Sequence, residues 1–76
     1  MKAKVIVMPK QSILDPQGVA VSDAMRHHGL PGAKSVRVGK MIEVELEGAD
    51  EAKLHEIARE MLSNPVIEDY QLVVEK

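Results

Sequence analysis

The side chains with the most chemistry to offer are three histidines, four serines and a row of glutamates. Zinc held on a single helix needs imidazoles at i and i+4, whereas His27 and His28 are adjacent and His55 lies far along the chain. No metal site is expected; His28 reads as a helix-face residue and the other two as solvent-exposed. Ser12, Ser22, Ser35 and Ser63 have no base at the spacing that nucleophilic catalysis requires. Glu43, Glu45 and Glu47 line one face of an extended segment, where cross-strand pairing with Lys4 and Arg37 accounts for them more simply than acid–base work. Gly29, Gly32 and Gly39 are spaced as turn residues and form no phosphate cradle, and cysteine is absent. No catalytic residue is expected.

The elements that must carry these groups follow from periodicity and punctuation. Lys2 to Met8 reads as a strand centred on Val5, Ile6 and Val7, ended by Pro9. Asp15-Pro16 opens a helix as N-cap and first helical residue, with Leu14 and Val19 placed for a hydrophobic staple. Val21, Ala24, Met25 and His28 share its inner face, and Gly29 and Pro31 stop it. Ser35 to Val38 is the expected second strand and Met41 to Glu47 the third. Gly48 breaks the third strand, Asp50 caps a second helix striped by Leu54, Ile57, Ala58 and Met61, and Asn64-Pro65 leads into a last strand, Val66 to Glu75.

The order βαββαβ, with its two halves offset by about 36 residues, predicts a ferredoxin-like split-βαβ fold. In it a four-stranded antiparallel sheet of order 4-1-3-2 carries both helices on one face, as a single α+β domain over residues 1–76. Parity sends Val5, Val7, Val36, Val38, Ile42, Val44, Leu46, Tyr70, Leu72 and Val74 toward the helices. That assignment requires an odd hairpin loop at Gly39-Lys40-Met41, although the usual three-residue loop carries its glycine last. The helix-free face then holds Ile6, Met8, Met41, Ile67 and Val73 among Lys and Glu, an apolar patch expected to join copies of the chain into a homodimer or higher oligomer.

Composition narrows the function further. With 76 residues, twelve carboxylates against ten Lys and Arg, and Tyr70 as the only aromatic, the chain lacks both the basic footprint and the exposed sheet aromatics of a nucleic-acid binder. No apolar run reaches the length of a membrane span, and the expected location is the cytoplasm. A small core without disulfide or aromatic ballast also points to oligomerisation.

Three segments carry a family likeness: Leu14-Asp15-Pro16-Gln17-Gly18, Val36-Arg37-Val38-Gly39-Lys40, and Asn64-Pro65-Val66-Ile67-Glu68-Asp69-Tyr70. In this order and spacing the chain resembles the PurS family, the small subunits of phosphoribosylformylglycinamidine (FGAM) synthase, along nearly its whole length. Met41, where the family often has an aromatic, and the Met8 to Ser12 loop depart from the pattern. The resemblance implies a non-catalytic accessory subunit of a glutamine- and ATP-dependent ligase in purine biosynthesis. Its partners would be a PurL-type synthetase, which uses ATP and magnesium, and a PurQ-type glutaminase that supplies ammonia; bridging them and assisting the ammonia transfer are the implied duties. No cofactor is expected in this chain.

The three segments are expected to meet at one end of the domain. There Lys10, Gln17, Gly18, Arg37, Gly39, Lys40 and Asn64 are the candidate partner-binding residues. The alternative is an ACT-type ligand-binding regulatory domain, which shares the element order but would call for a glycine in the loop from Pro9 to Asp15, where there is none.

Overall fold

The computed structural model describes residues 1–75. Strand β1 (Lys2–Pro9) leads to helix α1 (Pro16–His27), strand β2 (Lys40–Glu45), helix α2 (Glu51–Ile57), which widens into a π-type turn over Ala58–Leu62, and strand β3 (Glu68–Glu75). Both β2 and β3 pair antiparallel with β1, giving the order β2-β1-β3. The central strand supplies the core: Val5 and Val7 are fully buried, with Ile42, Leu62, Tyr70 and Leu72 packed around them and Ala58 pressing down from the second helix. Gly48, in the left-handed region at φ 81°, turns the chain from β2 toward α2. Asp50 then caps the helix by accepting from the Lys53 N–H at 3.0 Å. The wide last turn is closed by Ser63, whose N–H and hydroxyl both donate to the Ala58 carbonyl, at 3.0 and 2.8 Å. At the other end of β2, Leu46 and Met1 exchange two hydrogen bonds of 2.8 and 2.9 Å and lengthen the ladder.

The expected four-stranded, ferredoxin-like sheet of order 4-1-3-2 is corrected by this topology: there are three strands, and Ser35 to Val38 is not one of them. The reason lies at Gly39-Lys40-Met41. A tight reversal there would place a residue at positive φ, but among the described residues only Gly29 and Gly48 adopt it. Lys40 already pairs with Val7, so no residue is left for a loop. The chain passes from Ala33 to Gly39 without a turn or bend and continues directly into β2.

The first helix therefore does not lie over the sheet. It runs on past the end of β1, and residues 33–38 return beside it. Three ties hold this arm together. Asp15 Oδ2 accepts from the Val38 N–H at 2.7 Å, and Arg26 Nη1 donates to the Ala33 carbonyl at 2.7 Å. Gly18 sits so close to the Val36 carbonyl that a Cβ would collide with it. Gly29 ends the helix in a Schellman motif, with Leu30 N–H bonded to the Met25 carbonyl at 3.0 Å and Gly29 at φ 97°. Gly18 and Ser22 are its buried residues, while Val21 and Met25, expected against the sheet, are exposed, as are the expected staple partners Leu14 and Val19.

Candidate functional site

The three motif segments meet at the C-terminal end of β1. Arg37 Nη1 donates to the Pro9 carbonyl at 2.9 Å, and the Lys10 N–H donates to the Ile67 carbonyl at 2.8 Å. Lys10 Nζ lies 2.6 Å from Asp69 Oδ1. Pro9 and Lys10 thus join the Val36–Lys40 segment on one side to the Asn64–Tyr70 segment on the other, and Asp15 adds the first segment through Val38.

Several of the candidate residues have structural duties here. Gly18 admits the Val36 carbonyl, and Gly39 admits the Val7 carbonyl and the Met8 sulfur. Asn64 builds the bend before β3: its Oδ1 accepts from the Val66 N–H at 3.1 Å and its carbonyl from the Glu68 N–H at 2.7 Å. Lys10 and Arg37 are engaged as described. Gln17 and Lys40 differ, since both are exposed and, among the described residues, their side chains make no hydrogen bond or ion pair.

The start of α1 beside them is occupied by the chain itself. Asp15 Oδ1 accepts from the Gln17 N–H at 3.1 Å while Oδ2 serves Val38. The Val38 N–H holds the Asp15 carboxyl below the usual carboxylate range; partial desolvation opposes this, and the N–H groups of Gly18 and Gln17 and the Arg37 charge add to it. An N-cap motif signals the first of these bonds in the sequence; the second, 23 residues away, leaves no local signal.

The five candidate interface residues share the sheet face opposite the core. Ile6 pairs with Met41 across β1 and β2, Val73 pairs with Lys4, and Met8 with Asp69, with Ile67 just before β3. Met41, Ile67 and Val73 are exposed; Ile6 and Met8 are half-buried. Lys4 bonds Glu75 on this face at 3.0 Å. That bond and the Glu75 charge raise the lysine above its usual value, with Glu43 adding to them against a small desolvation. Tyr70 is half-buried and its hydroxyl stands 3.1 Å from His55 Nδ1. No cluster of three His, Asp or Glu that would hold a metal occurs among the described residues.

Against known proteins, the family model described as "PurS: Phosphoribosylformylglycinamidine (FGAM) synthase" matches residues 2–76. The FGAM synthase subunit PurS of Methanocaldococcus jannaschii is 40% identical, over 99% of this chain and 95% of its own length. Among solved structures, Bacillus subtilis PurS superposes with a TM-score of 0.88 at 40% identity, covering 99% of this chain and 98% of that one. A chain from the structure of PurLQS from Thermotoga maritima gives 0.80 at 28% identity, covering 95% and 93%.

Proposed function

The chain belongs to the PurS family of FGAM synthase, and from that premise we propose that it is the non-catalytic assembly subunit of that enzyme in purine biosynthesis. It holds a PurL-type synthetase and a PurQ-type glutaminase together and assists the passage of ammonia between them. The observation that carries this reading is the likeness, over nearly the full chain, to a protein solved as part of PurLQS. ATP and magnesium are engaged on the synthetase, and the complex works in the cytoplasm; no helix among the described residues is long and apolar enough to cross a membrane.

The contact with the synthetase lies at the end of β1, where Gln17 and Lys40 are exposed beside Arg37. Lys10, Gly18, Gly39 and Asn64 shape that edge from beneath. The helix-free patch of Ile6, Met8, Met41, Ile67 and Val73 joins copies of the chain into the oligomer that the partners recognise.

Co-purification with synthetase and glutaminase subunits from one organism, with glutamine and ADP present, tests this. The chain is expected in a three-component complex, and alone it is expected to turn over neither glutamine nor ATP. The double variant Gln17→Glu, Lys40→Glu should weaken assembly while leaving the melting temperature nearly unchanged, because neither side chain is bonded within the fold. Undiminished assembly by that variant would remove this edge from the interface, and failure of the unaltered chain to co-purify would remove the assembly role itself.

A further inference from the structure

The apolar stripe of α2 and the helix that forms from it disagree at the last turn. Leu54, Ile57, Ala58 and Met61 recur at helical spacing. On a regular α-helix Met61 lies within about 20° of Leu54, while Leu62 lies about 80° away. In the structure it is Leu62 that packs against the cluster of Val5, Val7 and Ala58, whereas Met61 is 74% exposed. The π-type turn over Ala58–Leu62 is the cause. One residue more in the turn sets every later side chain back by one position, so Leu62 takes the place that the spacing gives to Met61.

Several features keep the regular register within reach. Met and Leu are alike in volume, so either fills the same core position at little cost. Ser63 is the joint. Its N–H and hydroxyl bond the Ala58 carbonyl, and the hydroxyl already stands 3.4 Å from the Arg59 carbonyl, the acceptor that a regular helix assigns to the Ser63 N–H. Beyond Ser63 the bend is closed on itself: Asn64 accepts from the N–H groups of Val66, Ile67 and Glu68 and donates its own N–H to the Glu68 carboxylate at 2.8 Å. None of those four bonds reaches back into the helix. Beside the turn, a cleft of about 250 Å³ bordered by Arg59, Ser63 and Tyr70 gives the moving side chains room.

We propose that the last turn of α2 is a two-register element: a wide register with Leu62 in the core, and a regular one with Met61 in its place and Leu62 turned outward. The regular register is the minor state, populated on the order of 1–10%. Passing to it moves the Ser63 N–H from the Ala58 carbonyl to that of Arg59 and leaves the bonds of the sheet and the bend in place. In both registers one large apolar side chain stands on the surface just before Asn64, so that end of the domain has two forms. The switch itself needs no partner. One consequence rests on the assembly role: a subunit that docks beside Asn64 meets either the flexible thioether or the branched leucine, and draws the chain toward the register it fits.

The full chain by itself is the test material, so failure of the assembly role leaves the outcome untouched. The methyl groups of its five methionines are isotopically labelled, and the Met61 signal is identified by its loss in Met61→Leu. Truncating Leu62 to Ala leaves a hole in the wide register that costs more than trading one large apolar side chain for another, so Leu62→Ala should invert the populations. Relaxation of the Met61 methyl by a dissolved gadolinium chelate is then expected to fall by roughly fivefold as the thioether moves from surface to core. A Met61 methyl as exposed in Leu62→Ala as in the unaltered chain would overturn the proposal. Should that variant not fold, relaxation dispersion on the unaltered chain decides. The Met61 methyl and the Ser63 amide should share one exchange process on the microsecond-to-millisecond scale, abolished at Ser63 by Met61→Gln, whose amide cannot enter the core unpaired. Flat dispersion at both positions, or exchange at Ser63 that Met61→Gln leaves unchanged, would refute the switch.

Discussion

The two halves of the chain are built from the same kind of pieces and come to different ends. In the second half, β2, α2 and β3 close on one another: Leu54 of α2 is buried at 5% exposure, and Ala58, which opens the π-type turn, is fully buried against Val5 and Val7. In the first half, α1 has its own N-cap, its own Schellman stop and a comparable apolar stripe, yet Val21 and Met25 remain 37% and 38% exposed. The difference is in the connections. Gly48 at positive φ folds the second helix back over its sheet. The first helix is held by Asp15 and Gly18 to a segment that runs straight past Gly39 into β2, and so it points away. An amphipathic stripe decides that a helix will form and which face seeks cover; the turns on either side decide whose surface provides it.

Removing an apolar group from each half should affect the two very differently. Val7 is fully buried, and Val7→Ala should cost about 2–3 kcal/mol in denaturant unfolding at every protein concentration, from lost transfer free energy and the cavity left behind. Met25→Ala should cost less than about 0.5 kcal/mol in dilute solution, as a surface substitution does, with a larger loss only where chains associate. Equal, concentration-independent losses at the two sites would mean that α1 packs on its own sheet after all.

A second substitution separates the halves from within the arm. A Cβ at Gly18 would meet the Val36 carbonyl, and backbone there cannot yield as a flexible side chain would. Gly18→Ala is expected to cost about 1–3 kcal/mol, the usual range for overpacking. The loss should show as faster amide exchange in α1 and the segment beside it while β1 keeps its protection. A uniform loss over the whole chain would show that arm and sheet unfold as one unit.

Much of the second half was legible in the residues. The alternation of Ile42, Val44 and Leu46, the cap at Asp50 and the stop at Asn64-Pro65 are local signals, and the elements they define lie within two residues of where the structure has them. The first half was legible as far as its helix and no further. Ser35 to Val38 has the alternation of a strand, and only its turn could say whether it folds back. Gly39 stands first in the supposed loop, where a three-residue turn would carry it last, and that misplacement was the one visible sign of an open connection. The convergence of the three motif segments at the end of β1 followed from the direction of the strands, so it survives the loss of one strand. The bond from Val38 to Asp15 and that from Arg37 to Pro9 are long-range, and no local pattern encodes them.

The smallest expected effect uses acid and base to tell the halves apart. Asp15, which ties the arm, is held below the usual carboxylate range by the Val38 N–H above all. Its contribution is fully present above that range and is lost as the pH falls through the lowered value. Lys4 bonds Glu75 on the sheet and is raised above the ordinary lysine value of 10.5, so its contribution is present below that value and lost as the pH rises through the raised one. The arm should therefore loosen first on the acid side and the open sheet face on the alkaline side. Both groups are exposed to solvent, and both shifts should shrink as salt shortens the Debye length to about 10 Å at 0.1 M. Amide exchange followed against pH, read as protection relative to the intrinsic rate, checks this: acid should lower the protection of Val38 in the unaltered chain, and much less in Asp15→Asn, which keeps a neutral acceptor at all pH values. If acid lowers the protection of Val38 equally in both, the carboxylate is not what ties the arm, and the contrast between the two halves would rest on Gly18 and Arg26 alone.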